Sequence, residues 1–140
     1  MTISKKILVI DDDAEDRMLM QDMFAEIGVP EIAHFEENGE KALAWLEQLE
    51  PQALPNVIVL DLNMPKLSGT QVLKILKDDN RFKNITVIIY STSVNAIEKE
   101  QTLTLGAHSY IIKPVSYEGC LEKARYFHQL SLTEAVSETN

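Results

Sequence analysis

Asp61 closes the apolar run Val57-Ile58-Val59-Leu60 and is followed by Leu62-Asn63-Met64-Pro65, with Gly69 shortly after. Three further runs end in reactive or charged groups. Lys5–Asp11 leads into Asp12-Asp13, Ile85–Tyr90 leads into Ser91, and Ser109–Ile112 leads into Lys113-Pro114. One aspartate at the end of a strand is most often a turn former or a helix cap. Several such ends meeting are another matter. If the runs are parallel strands, Asp11, Asp12, Asp61, Ser91 and Lys113 share one sheet edge. Carboxylates within a few ångströms of one another repel and call for a cation, and Mg²⁺ suits oxygen ligands of this kind. Lys113, Ser91 and the ion would surround one oxygen of Asp61 with donors and positive charge. That arrangement stabilises an anion in transfer, as phosphoryl transfer requires, and the Asp61 carboxylate is a competent nucleophile for a covalent step.

The elements that must position these groups are legible from patterning. Continuous β-prone apolar runs bounded by turn signals read as strands buried on both faces. Asp13 is a candidate N-cap, with Glu15 and Asp16 in the favourable first turn of a helix carrying Leu19, Met20, Met23, Phe24 and Ile27 as its core stripe, its methionines serving packing, and ended by Gly28. Glu31–Glu36 is less apolar and suits an edge strand. Asn38-Gly39 turns the chain into Glu40–Glu50, with Ala42, Leu43, Leu46 and Leu49 on one side and Trp45 at the rim. Pro65 permits a helix over Leu67–Asp78 with Val72, Ile75 and Leu76 inward. Val94–Leu105 is the poorest helix: Val94 and Ile97 fit a stripe and Gln101 breaks it, so little packing holds it in place. Gly106 ends it. The helix Tyr117–Leu130 places Tyr117, Cys120, Leu121, Ala124 and Phe127 on one face, with Cys120 as a small buried hydrophobe. Strand and helix alternate five times. With right-handed crossovers this gives an α/β fold, a doubly wound five-stranded parallel sheet covered on both faces.

A chain of 140 residues with 45% hydrophobic and 25% charged residues is an ordinary globular domain. We expect one domain over 1–130 and a polar, frayed tail over 131–140. The net charge of −9 argues against wrapping nucleic acid. No apolar run approaches a membrane span, and no signal-peptide core follows Lys5-Lys6, so the cytoplasm is the expected compartment. The single cysteine excludes an internal disulfide.

Taken together, the acidic pair Asp11-Asp12, Asp61 within Leu-Asp-Leu-Asn-Met-Pro…Gly, Ser91 and Lys113-Pro114 resemble the receiver domain of two-component response regulators over about residues 5–130. The resemblance implies a flavodoxin-like fold with strand order 2-1-3-4-5 and Asp61 as phosphoacceptor. It implies Mg²⁺ held by Asp12, Asp61 and the Asn63 backbone carbonyl, with Asp11 acting through water. Ser91 would hydrogen-bond the phosphoryl group, Lys113 would pair with it, Lys113–Pro114 would be cis, and Tyr110 would be the aromatic that turns inward on activation. Two positions depart from the family pattern: Ser68 stands where Asp is frequent, and Val115 where Phe is usual. Neither touches the phosphoryl site, so they bear on the output surface.

The implied role is that of a stand-alone signalling protein rather than an enzyme. It would take a phosphoryl group from a sensor histidine kinase, with self-catalysed transfer and slow autodephosphorylation. The stretch Arg81–Ser93 and the connector Glu50–Pro55 look like receivers associated with phytochrome-type or hybrid kinases. No output domain follows residue 130, so DNA binding in cis is not expected, and the signal would pass by protein contact or to a His-containing phosphotransfer domain. The expected switching surface, for a partner or a homodimer, joins Val94–Leu105, Ser109–Ile112 and Tyr117–Leu130, with Tyr90, Tyr110 and Tyr117 near its centre.

Other classes fit less well. A dehalogenase-like phosphohydrolase needs an acid two residues after Asp61, where Asn63 stands, and a flavin phosphate would be repelled by Asp11–Asp13. No glycine-rich nucleotide loop occurs. The rival is a phosphorylation-independent receiver-like docking module, which typically lacks one of the acceptor, the acidic pair or the lysine. This chain has all three.

Overall fold

The structure, a computed structural model, describes residues 5–93 and 95–133. Five strands, β1 (Ile7–Ile10), β2 (Ala33–Glu36), β3 (Val57–Leu60), β4 (Thr86–Ser91) and β5 (Ser109–Ile112), form one parallel sheet in the order β2-β1-β3-β4-β5. Five helices alternate with them: α1 (Ala14–Glu26), α2 (Gly39–Glu47), α3 (Gly69–Lys77), α4 (Ala96–Thr104) and α5 (Tyr117–Ser131). No described helix is long and apolar enough to cross a membrane.

The central strands are apolar throughout because successive side chains leave opposite faces and both faces are covered. Leu8, Ile10, Ile58, Leu60, Val87 and Ile89 point to one layer, where they meet Ala42 and Leu46 of α2 and Val72, Leu73 and Leu76 of α3. Ile7, Val9, Val57, Val59, Ile88 and Tyr90 point to the other, against Met20, Met23 and Phe24 of α1 and Cys120, Leu121, Ala124 and Phe127 of α5. The weaker strand β2 lies at the sheet edge, as its composition predicts. Trp45 is half-buried over that edge and stacks on His34 with ring centroids 4.0 Å apart.

Several helix expectations shift. Leu19, Ile75 and Tyr117, expected on core stripes, are exposed, as is Met18. Leu19 and Tyr117 each begin a stripe whose later residues are buried as expected, and in α3 Leu73 is buried beside Val72 and Leu76 in place of Ile75. α3 begins at Gly69, capped by Ser68, rather than at Leu67. Ser68 Oγ accepts from the Gln71 N–H, and Gln71 Oε1 accepts from the Ser68 N–H, a reciprocal capping box. Serine at this departure from the family pattern therefore starts the helix. In α4 the expected Ile97 contact is absent and Ile97 is largely exposed. The helix buries only Thr102, whose hydroxyl donates to the Glu98 and Lys99 carbonyls. Val94 lies outside the described residues. α5 runs one residue past the expected Leu130, to the buried Ser131, and residues 134–140 of the expected tail lie outside the described residues. Among the described residues no peptide bond is cis, so Lys113–Pro114 is trans, the isomer favoured by ~0.5–1 kcal/mol before Pro.

Candidate functional site

Sheet register brings the chemistry together. Ile10 pairs with Leu60, and Leu60 with Ile89. The Asp61 N–H donates to the Ile10 carbonyl at 3.0 Å, which sets Asp61 beside Asp11 one residue beyond the paired positions. On the far side the Lys113 N–H donates to the Ser91 carbonyl at 2.8 Å. Asp11, Asp61 and Ser91 are buried, whereas Asp12 and Asn63 are exposed.

The loops fix the side chains. Asp13 caps α1, its Oδ1 accepting from the Glu15 and Asp16 N–H groups, and the Asp13 N–H donates to Asp11 Oδ1 at 3.0 Å. Arg17 Nη1 donates to the Asp11 carbonyl at 2.8 Å. After Asp61 the chain turns so tightly that α3 begins against it. A Cβ at Gly69 would press on the Asp61 carbonyl oxygen and lie 2.6 Å from Leu62 Cα, so only glycine fits. Lys66, in the same loop, holds a left-handed backbone with φ of 65°.

One oxygen from each of Asp11, Asp12 and Asp61 lies within 4.8 Å of the others. Burial pushes the Asp61 carboxyl up to about 6; Asp11 and Asp12 add to the rise, and Lys113 and the Asn63 N–H oppose it. Asp11 is raised as well, chiefly by burial. A clustered, all-oxygen donor set with two of its three carboxylates buried fits a hard divalent cation.

Lys113 is where the structure departs most from expectation. Its side chain is 11% exposed, and Nζ donates to Asp11 Oδ2 at 2.7 Å and to Asp16 Oδ2 at 2.8 Å. Burial opposes the charge, but these two carboxylates outweigh it and raise the lysine above its ordinary range. Among the described residues no hydrogen bond joins Lys113 to Asp61, because Asp11 and Asp16 occupy it. The sequence gives Asp16 no role beyond complementing the helix dipole. Its spacing from Asp13 predicts a first-turn acid, and nothing local connects it to a lysine 97 positions away.

Ser91 Oγ accepts from the Ser93 N–H and lies 3.3 Å from Ser93 Oγ. Tyr110 is half-buried against the α2–α3 layer, and its hydroxyl donates to the Ser93 carbonyl at 3.1 Å. It is thus tied to the loop that follows Ser91. Tyr90 does not belong to the expected switching surface. It is buried on the opposite layer, edge-on to Phe127, because strand alternation sends it to the α1–α5 side. Cys120 is buried there too, and burial raises its thiol, in keeping with a packing role.

Residues 7–125 match the profile of the response regulator receiver domain. The chemotaxis protein CheY1 of Helicobacter pylori (strain J99) is 32% identical over 118 residues, which cover 84% of this chain and 92% of that protein. The structure is similar to that of the phosphorylated cyanobacterial phytochrome response regulator RcpA, with a TM-score of 0.81, 30% identity, and coverage of 94% of this chain and 96% of that one. The Mn²⁺-bound form of response regulator Rcp1 superposes with a TM-score of 0.76 at 26% identity, covering 89% and 92% of the two chains.

Proposed function

The chain belongs to the response regulator receiver domain family, and we propose that it is a phosphoacceptor signalling protein whose Asp61 takes a phosphoryl group from a sensor histidine kinase. The observation that carries this reading is the convergence of Asp11, Asp12 and Asp61 within 4.8 Å, with Lys113 already bonded to Asp11. A Mg²⁺ ion held by Asp12, Asp61 and the Asn63 carbonyl, with Asp11 through water, would supply positive charge to the oxygens of the transferring group.

The chain's own residues account for the rest. An Asp61 carboxylate oxygen attacks phosphorus, the new O–P bond forms, and the bond from phosphorus to the donor's imidazole nitrogen breaks. Asp61 must be ionised to attack, and it is so for the most part above pH of about 6. The Ser91 hydroxyl, one residue beyond the position paired with Asp61, donates to a phosphoryl oxygen. Lys113 supplies the balancing charge. Ser91 then leaves its Ser93 contacts, and Tyr110, bonded to the Ser93 carbonyl, follows that loop. The exposed Ile97, Leu103, Ile112 and Tyr117 on α4, β5 and α5 form the face whose partner contacts, or self-association, this change switches.

The likeness to the phytochrome response regulator RcpA supports a phytochrome-type or hybrid kinase as donor, with a His-containing phosphotransfer domain as the onward acceptor in a relay. The direct test is phosphorylation with acetyl phosphate in Mg²⁺, followed by intact mass. One added phosphoryl group, lost in hydroxylamine and absent from Asp61→Asn, is expected. Phosphate persisting on Asp61→Asn refutes the assignment, and no phosphorylation of the wild type by either acetyl phosphate or kinase favours a docking module.

A further inference from the structure

An ammonium group has three N–H donors, and Lys113 commits two of them at short range, to Asp11 at 2.7 Å and Asp16 at 2.8 Å. The two acceptors are placed differently. Asp11 belongs to the trio with Asp12 and Asp61 and lies beside Asp61 in the sheet. Asp16 stands outside that trio, on the first turn of α1, half in solvent. It is nevertheless well held, because its N–H donates to the Asp13 cap. A cavity of about 40 Å³ borders Lys113, Asp11 and Asp16 on the α1 side of the lysine, away from Asp61, which does not line it.

We propose that Asp16 is a positioning residue for the transfer reaction: it anchors Lys113 on the α1 side of the site, and Lys113 reaches a phosphoryl group on Asp61 by releasing Asp16. This inference rests on the phosphoacceptor reading of Asp61. The three terminal oxygens of a phosphoryl group on Asp61, sharing close to two negative charges, offer the lysine a stronger partner than one half-exposed carboxylate, so the exchange runs forward, but against the Asp16 bond. Asp16 therefore sets how readily the site closes on its anion. A side chain at 16 that cannot hold the charge-assisted bond leaves Lys113 free to move toward Asp61 at less cost.

The test measures the affinity of the full chain for beryllofluoride, a phosphoryl mimic, in saturating Mg²⁺. Asp16→Asn should bind about three- to tenfold more tightly than the wild type, the range for loss of one partly exposed charged bond. Asp16→Glu keeps the charge and should stay within about twofold of the wild type. Glu15→Gln removes a neighbouring exposed charge with no bond to Lys113 and should gain less than about twofold. The Lys113 ammonium resonance in ¹⁵N NMR, slow to exchange in the ion-free wild type, should broaden in Asp16→Asn. Equal affinities of Asp16→Asn and the wild type overturn the inference and leave the phosphoacceptor reading standing. So does an equal gain in Glu15→Gln or Asp16→Glu. A wild-type protein that binds no beryllofluoride overturns the reading and the inference with it.

Discussion

Replacing the acceptor should make the ion-free protein more stable. Burial and two neighbouring carboxylates push Asp61 from the ordinary value of 3.8 up to about 6, net of the attraction of Lys113. Each tenfold change in proton affinity is ~1.4 kcal/mol, so ionising Asp61 in the fold costs on the order of 3 kcal/mol relative to ionising it in the unfolded chain. Between pH 3.8 and about 6 the native state binds more protons at this site than the unfolded one. Stability from this group is therefore full below pH 3.8, falls as pH rises, and is gone above about pH 6. An asparagine in place of Asp61 would keep the shape and the acceptor for the Asn63 N–H without the charge. Urea unfolding in a chelator should show Asp61→Asn more stable than the wild type by about 2–3 kcal/mol at pH 7.5, with the difference closing near pH 4. Added Mg²⁺ should stabilise the wild type by ~2.7 kcal/mol at a hundredfold excess over its dissociation constant and so offset most of the gap. An Asp61→Asn protein no more stable than the wild type at pH 7.5, or equally advantaged at pH 4, would refute the electrostatic account of the site.

Lys113→Ala strips Asp11 of its ammonium and should cost roughly 3 kcal/mol in chelator urea melts. The same variant should accept a phosphoryl group from acetyl phosphate while NMR shift mapping finds no change beyond the site; normal propagation would remove its coupling role. Gly69→Ala puts a methyl group against the Asp61 backbone and should lose about 2–4 kcal/mol by thermal melt; a loss below about 0.5 kcal/mol would show that the loop can yield. On beryllofluoride binding, hydrogen exchange should change in α4, β5 and α5, since α4 buries only one side chain, Thr102. Changes confined to α1 would place the output elsewhere.

Much of this protein was determined locally. Unbroken β-branched runs can bury both faces only in a covered parallel sheet, and such a sheet carries the ends of its strands to one edge. The places of Asp11, Asp61, Ser91 and Lys113 follow from chain order and that rule alone. Asp13 as a cap, Gly28 and Gly106 as helix stops and the weak packing of α4 were equally local, because capping and periodicity depend on residues within a turn or two. Other features waited on packing. Whether Leu19, Ile75 or Tyr117 faced inward depended on how far the cover of the neighbouring elements reaches around each helix, which periodicity alone does not set. The side taken by Tyr90 followed from strand alternation combined with which helices cover which face. The need for glycine at position 69 came from the backbone of Asp61 and Leu62, against which α3 begins. The proton affinity of Asp61 depends on burial and on charges from two strand ends, quantities with no local signature. Above all, the tertiary structure decided what Lys113 touches. Its charge was evident in sequence, but a cation takes the nearest anions in space, and Asp16 became one of them only when α1 packed on the sheet whose edge strand β5 leads into Lys113.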